Sequence, residues 1–177
     1  SRSYLTYSNE TIKEKLDHNP YTFLHIINPD YNSNKKTTGI AKFNLVKEKF
    51  NQFMNEGILK KDNINSYYIY QKSNIKHTYT GIIGAAAVKD YLNNKIKKHE
   101  QTLTKRENIF RDYLDTTGFN SEPVLLSHEP NTEIKNMLAK YTITRSEYEF
   151  TTTNKSLHKL WIVDNASDIK RITSAFK

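Results

Sequence analysis

The chain has 177 residues, 36% of them hydrophobic and 12% aromatic, a mix able to bury a substantial core that argues against wholesale disorder despite a mean hydropathy of −0.77. It contains no cysteine, which excludes disulfide staples and thiolate metal sites. A net charge of +8 and a pI near 9.4 favour phosphate-bearing partners, although the bases are scattered along the chain as on an ordinary solvated surface.

In chain order, residues 9–18 are predicted to form a short helix with Ile12 and Leu16 on one face, stopping before Asn19-Pro20. Residues 21–27 are aromatic and β-branched enough to be expected as a strand, closed by Asn28-Pro29-Asp30, and residues 30–39 as a polar loop. Phe43, Val46, Phe50, Phe53 and Met54 then recur at helical spacing, with Gly57 where a left-handed cap belongs. Residues 66–71 and 78–88 are expected as paired strands joined by the polar Ser73-Asn74-Ile75-Lys76 segment. Residues 104–116 open with Thr104-Lys105-Arg106-Glu107, a capping box in which hydroxyl and carboxylate satisfy orphan amides, and continue with an apolar stripe of Phe110, Tyr113 and Leu114.

Beyond this helix, residues 123–127 are expected as a strand and residues 132–141 as a helix with Ile134, Leu138 and Tyr141 inward. Residues 148–153 and 157–163 are strand candidates, the second nearly continuous and therefore central. A last helix from Ser167 carries Ile169, Ile172 and Phe176 and runs to Lys177 without a cap, so the chain is expected to be truncated, the N-terminal portion of a larger protein. Helices and strands interleave, which predicts an α/β (α+β) fold with a mixed sheet and flanking helices. One unit over residues 1–177 is expected, with any subdivision near 78–80.

Few segments carry recognisable chemistry. The five glycines form no phosphate-cradling loop, and the six histidines show no metal-ligand spacing. No Gly-x-Ser-x-Gly elbow is present. Gly81-Ile82-Ile83-Gly84 either lets a backbone approach a ligand or is a run of small residues in a packed strand. The run from Gly81 to Val88 is far too short to span a bilayer, and no signal peptide is evident, so a cytoplasmic protein without a membrane partner is expected. Tyr67-Tyr68-Ile69-Tyr70-Gln71-Lys72 has the residue types of a base-stacking platform, or of ordinary cross-strand packing.

The strongest candidate is the segment in which Lys97, Lys98 and His99 flank Glu100, just ahead of the helix at Thr104. A carboxylate among cations keeps a low pKa unless burial opposes it, and a partly desolvated one can act as a general base. The neighbouring cations and the helix N-terminus can hold an anion such as phosphate.

Around that segment run Asp90-Tyr91, Ile96-Lys97-Lys98-His99-Glu100-Gln101-Thr102, then Lys105, Glu107, Arg111 and Glu122-Pro123-Val124-Leu125-Leu126. With Asn19-Pro20-Tyr21-Thr22-Phe23-Leu24-His25 and Tyr67-Tyr68-Ile69-Tyr70, this pattern resembles the domain-of-unknown-function 1015 family of bacterial and archaeal proteins over nearly the whole chain. Members of that family are similar to the ParB/sulfiredoxin-like superfamily, which includes free-serine kinases whose His-Glu-x-Thr string supplies a catalytic glutamate. The resemblance implies that Glu100 is the general base and that His99 and Lys98 orient it or meet phosphate. It further implies that Lys98, Thr102, Lys105 and Arg111 bind phosphate and substrate.

The implied co-substrate is ATP or ADP with Mg²⁺, and the implied partners are a serine-like small molecule and that nucleotide. A non-catalytic nucleotide- or nucleic-acid-binding ParB-like module is the alternative. Two departures stand out: the family's later Asp-Gly-His-His-Arg string does not occur here, and Ser3-Tyr4-Leu5 replaces its usual Pro-Tyr-Asp opening. A piece lacking that later string is expected to be inactive as a kinase.

Overall fold

A computed structural model describes residues 8–97, 104–121 and 123–176. In chain order its elements are α1 (Asn9–His18), α2 (Leu24–Ile27), α3 (Gly39–Asn55), β1 (Tyr67–Ser73), β2 (Thr78–Ile83), α4 (Val88–Leu92), α5 (Thr104–Thr117), α6 (Thr132–Thr142), β3 (Tyr148–Thr151), β4 (Leu157–Val163) and α7 (Ala166–Ala175). They fall into two compact units, Ser1–Lys61 with Lys98–Glu122, and Asp62–Lys97 with Pro123–Lys177. Residues 78–80 open β2 inside the second unit, and the breaks between the units follow Lys61, Lys97 and Glu122.

The first unit is helical. Ser8 caps α1 by accepting from the Thr11 N–H at 3.2 Å, and Leu16 is the buried residue of its predicted apolar face. The strand expected at 21–27 is instead a turn leading into α2. After Pro20 the Asn19 side chain accepts from the Tyr21 N–H at 2.9 Å and the Thr22 carbonyl from the His25 N–H at 3.0 Å, which curls the chain. Among the described residues no partner strand offers a ladder, so the apolar residues bury on a helical turn and local β-propensity is overridden. Inside that turn His25 is satisfied: its Nε2 lies 3.1 Å from the carbonyls of both Leu16 and Asn19.

The third helix follows its pattern closely. Val46 and Phe53 are buried with Ile26, and Phe50 stacks on Phe119 with ring centroids 4.2 Å apart. Past its end Gly57 adopts φ +70°, the Ile58 N–H donates to Phe53 and the Gly57 N–H to Met54. This paired closure requires the left-handed residue that glycine supplies cheaply. On α5 only Tyr113 of the expected stripe packs inward, against Phe43 at 5.3 Å; Phe110 and Leu114 are exposed.

The second unit is a four-stranded, wholly antiparallel sheet in the order β2-β1-β4-β3, with β4 in the interior as its continuous apolar run predicts. Strands β1 and β2 form the predicted hairpin, whose turn is fixed by the Asn74 side chain accepting from the Lys76 and His77 N–H groups. Ile69, Trp161 and Val163 from one sheet face pack on Ile134 and Met137 of α6 and Ile172 of α7. The α/β class holds, but the sheet is antiparallel throughout and not mixed, and two local expectations also fail. The second strand ends at Ile83, and Val88 instead begins α4. Residues 123–127 form no strand, and Val124 and Leu125 stand 80% and 96% exposed: none of the four strands pairs with this segment, and without a ladder its β-propensity has no effect.

Gly84 follows β2, and a Cβ there would lie 2.6 Å from two ring carbons of Tyr67, whose hydroxyl is tied to Thr173 at 3.0 Å. Its smallness therefore serves packing. Gly84→Ala is expected to cost about 1–3 kcal/mol, read as a lower urea midpoint, because the pinned ring must shift.

A charged cluster joins α6 to α7. The buried Asp168 carboxylate accepts from Lys140 Nζ at 2.6 Å and from the Tyr141 hydroxyl at 2.8 Å, with Arg171 at 3.9 Å. The Lys140 hydrogen bond, aided by Tyr141 and Arg171 against the opposing effect of burial, holds this carboxyl below its ordinary 3.8. A depressed folded-state pKa contributes stability above the unfolded value and loses it as pH falls through the folded one. Urea midpoints are thus expected to fall as pH drops below about 4, and Asp168→Asn should flatten that acid slope while lowering stability at neutral pH.

Candidate functional site

Lys98, His99, Glu100 and Thr102 lie outside the described residues. What is placed is the helix that follows them. The fifth helix begins at Thr104 and runs for 14 residues, so the candidate string directly precedes the start of a helix long enough to carry an appreciable dipole. Lys105 stands exposed in its first turn and Arg111 stands exposed six positions on. At about 100° per residue, six positions put these two residues on different sides of the helix and about 9 Å apart along it. The structure therefore does not bring Lys105 and Arg111 together on one face.

A second constellation lies on the sheet of the other unit. Strict alternation splits the Tyr67–Lys72 run. Tyr67 and Ile69 turn to the α6–α7 core, whereas Tyr68, Tyr70 and Lys72 belong to the opposite face. Register extends that face into rows. Tyr79, Lys72, His158 and Phe150 stand directly across the four strands, and Gly81, Tyr70, Leu160 and Tyr148 form the next row. A third row holds Ile83, Tyr68 and Ile162.

In the middle of the face the groups are locked together. The Tyr70 hydroxyl lies 2.5 Å from His158 Nδ1, and Phe150 stacks on the same imidazole with planes 2° apart and centroids 4.8 Å apart. Burial lowers the His158 pKa, so the ring is neutral at physiological pH, and burial likewise raises that of Tyr70. Tyr68 donates to the Asp62 carboxylate, a bond that leads in pushing its hydroxyl pKa up to about 12.

At the edges the rings face solvent: Tyr79 is 63% exposed, Tyr148 58% and Phe150 49%. The sequence pattern points only to the β1 members of this group, and it shows His158 merely as one of six histidines without metal-ligand spacing. The missing signal was strand register, which no local pattern encodes.

Fold and constellations together define a basic, two-unit α/β protein with an open aromatic sheet face and a basic string at the head of α5. The chain belongs to the family described as Protein of unknown function (DUF1015), whose model matches residues 1–177. No curated protein and no solved structure matches it. Among the described residues, no helix is long and apolar enough to cross a membrane.

Proposed function

We propose that this chain belongs to a small-molecule kinase, acting on a serine-like hydroxyl with Glu100 as general base. The observation that carries the reading is the His99-Glu100-Gln101-Thr102 string, which in the sequence shortly precedes α5, in a chain of this family. Phosphoryl transfer asks little covalent chemistry of a protein; it needs an oriented nucleophile and neutralised phosphate charge.

In this reading Glu100 takes the proton of the substrate hydroxyl, and the oxygen attacks the terminal phosphorus of ATP or ADP. The bond from phosphorus to the bridging oxygen breaks, giving a phosphomonoester and the nucleotide shortened by one phosphate. Lys98 and His99 orient the carboxylate or meet phosphate, and Thr102 and Lys105 contact phosphate or substrate; Arg111, on another side of α5, is left out of the site. Mg²⁺, where present, would enter with the nucleotide's phosphates and neutralise their charge. The place of action is the cytoplasm, where both nucleotides are plentiful.

The test uses the protein with whatever residues its gene encodes beyond Lys177. Incubated with ATP or ADP, Mg²⁺ and free serine, it should give a new phosphomonoester resonance in ³¹P NMR. Inorganic phosphate alone, or no turnover with either nucleotide, would overturn the reading.

A further inference from the structure

We infer that the open face of the β2-β1-β4-β3 sheet binds single-stranded nucleic acid, with bases stacked on Tyr79, Tyr148 and Phe150 and phosphates drawn to Lys72, Lys76 and Lys155. The inference rests on the second unit alone and is independent of the kinase reading.

The sheet buries one face against α6 and α7 and leaves on the other three solvent-facing aromatic rings at its two edges. Tyr79 on β2 and Phe150 on β3 stand three strand spacings apart, about 14 Å. That span accommodates about four bases at the 3.4 Å repeat of a stacked strand, more than one nucleotide can fill. Between the edge rings, Gly81 leaves open space beside Tyr70, since a Cβ there would meet nothing within 4 Å. The Tyr70–His158–Phe150 contacts hold the floor rigid, which lowers the entropic cost of ordering a ligand on it.

Charge selects the occupant. This unit's sequence carries thirteen lysines and arginines against eight acidic residues, a net +5. Three of the lysines lie at one end of the face. Register puts Lys72, the hairpin turn with Lys76 and His77, and the β3–β4 turn with Lys155 at the same end of the sheet. All three lysines are exposed, and none makes an ion pair among the described residues. Asp62, Glu147 and Asp164 lie at the opposite end with Arg145 among them, so the more basic end is the one an anionic strand meets. A purely apolar partner would leave the Lys72 ammonium without water, whereas a strand of stacked bases and phosphates satisfies rings and cations together.

Fluorescence anisotropy of labelled oligothymidylate and oligouridylate with the 177-residue chain tests this. Binding should weaken steeply as salt rises, and Lys72→Gln should lower the salt slope by about 0.7. Tyr79→Ala and Phe150→Ala, each verified as folded by circular dichroism, should weaken binding by about 5- to 150-fold. Glu100→Gln should bind like the parent, which separates this surface from the kinase reading. The inference is overturned by no binding at low salt, by binding that Tyr79→Ala and Phe150→Ala leave unchanged, by a preference for duplex, or by sedimentation showing that these residues instead hold two copies together.

Discussion

Glu100→Gln is expected to slow phosphoryl transfer to serine by about 10²- to 10⁴-fold, the usual contribution of a positioned general base. The amide matches the carboxylate in size and hydrogen-bonds similarly but cannot take a proton. The loss should therefore fall on kcat, with the KM for serine changing little. Glu100→Asp, which keeps a base on a shorter arm, should lie between the two. Mass-spectrometric quantitation of phosphoserine at saturating and limiting serine separates the parameters. An unchanged kcat with a raised KM would make Glu100 a substrate contact and remove it from the chemistry.

Trp161→Ala is expected to destabilise the second unit by about 3–5 kcal/mol, most of the stability of a small domain. The indole is 3% exposed at the centre of the core formed by Ile69, Ile134, Met137, Val163 and Ile172. Its Nε1–H donates to the Thr144 carbonyl at 3.1 Å. Truncation leaves a large cavity and deprives that carbonyl of its partner, two costs that add. Trp161→Phe fills most of the space and should lose only about 1–2 kcal/mol. Because Trp161 is the only tryptophan, unfolding of the variants is followed by circular dichroism in urea rather than by indole fluorescence.

The legible parts of this fold are those whose code is local. The Phe43–Met54 period with Gly57, the Asn74 hairpin turn and the apolar face of α6 each fix their own hydrogen bonds, so sequence spacing suffices. Residues 21–27 and 123–127 misled because β-branched and aromatic residues favour a strand only where a neighbour accepts the ladder. In the first case an Asx turn and a buried helical turn won; in the second nothing paired, and Val124 and Leu125 stayed in solvent. Candidate sites divide the same way. The basic string before α5 can be read off in one pass, whereas the row Tyr79, Lys72, His158 and Phe150 joins residues up to 86 positions apart through strand register. Arg111 shows the converse: near Lys105 in sequence, it sits on another side of the helix.

The most direct test of the proposed chemistry is the pH dependence of kcat/KM for serine phosphorylation in the parent protein and in Glu100→Gln. A general base must be ionised to act, so the parent should gain activity with rising pH through one acidic ionisation, and the variant should lack that limb. An identical acidic limb in both proteins, at comparable rates, would contradict the assignment of Glu100 as base.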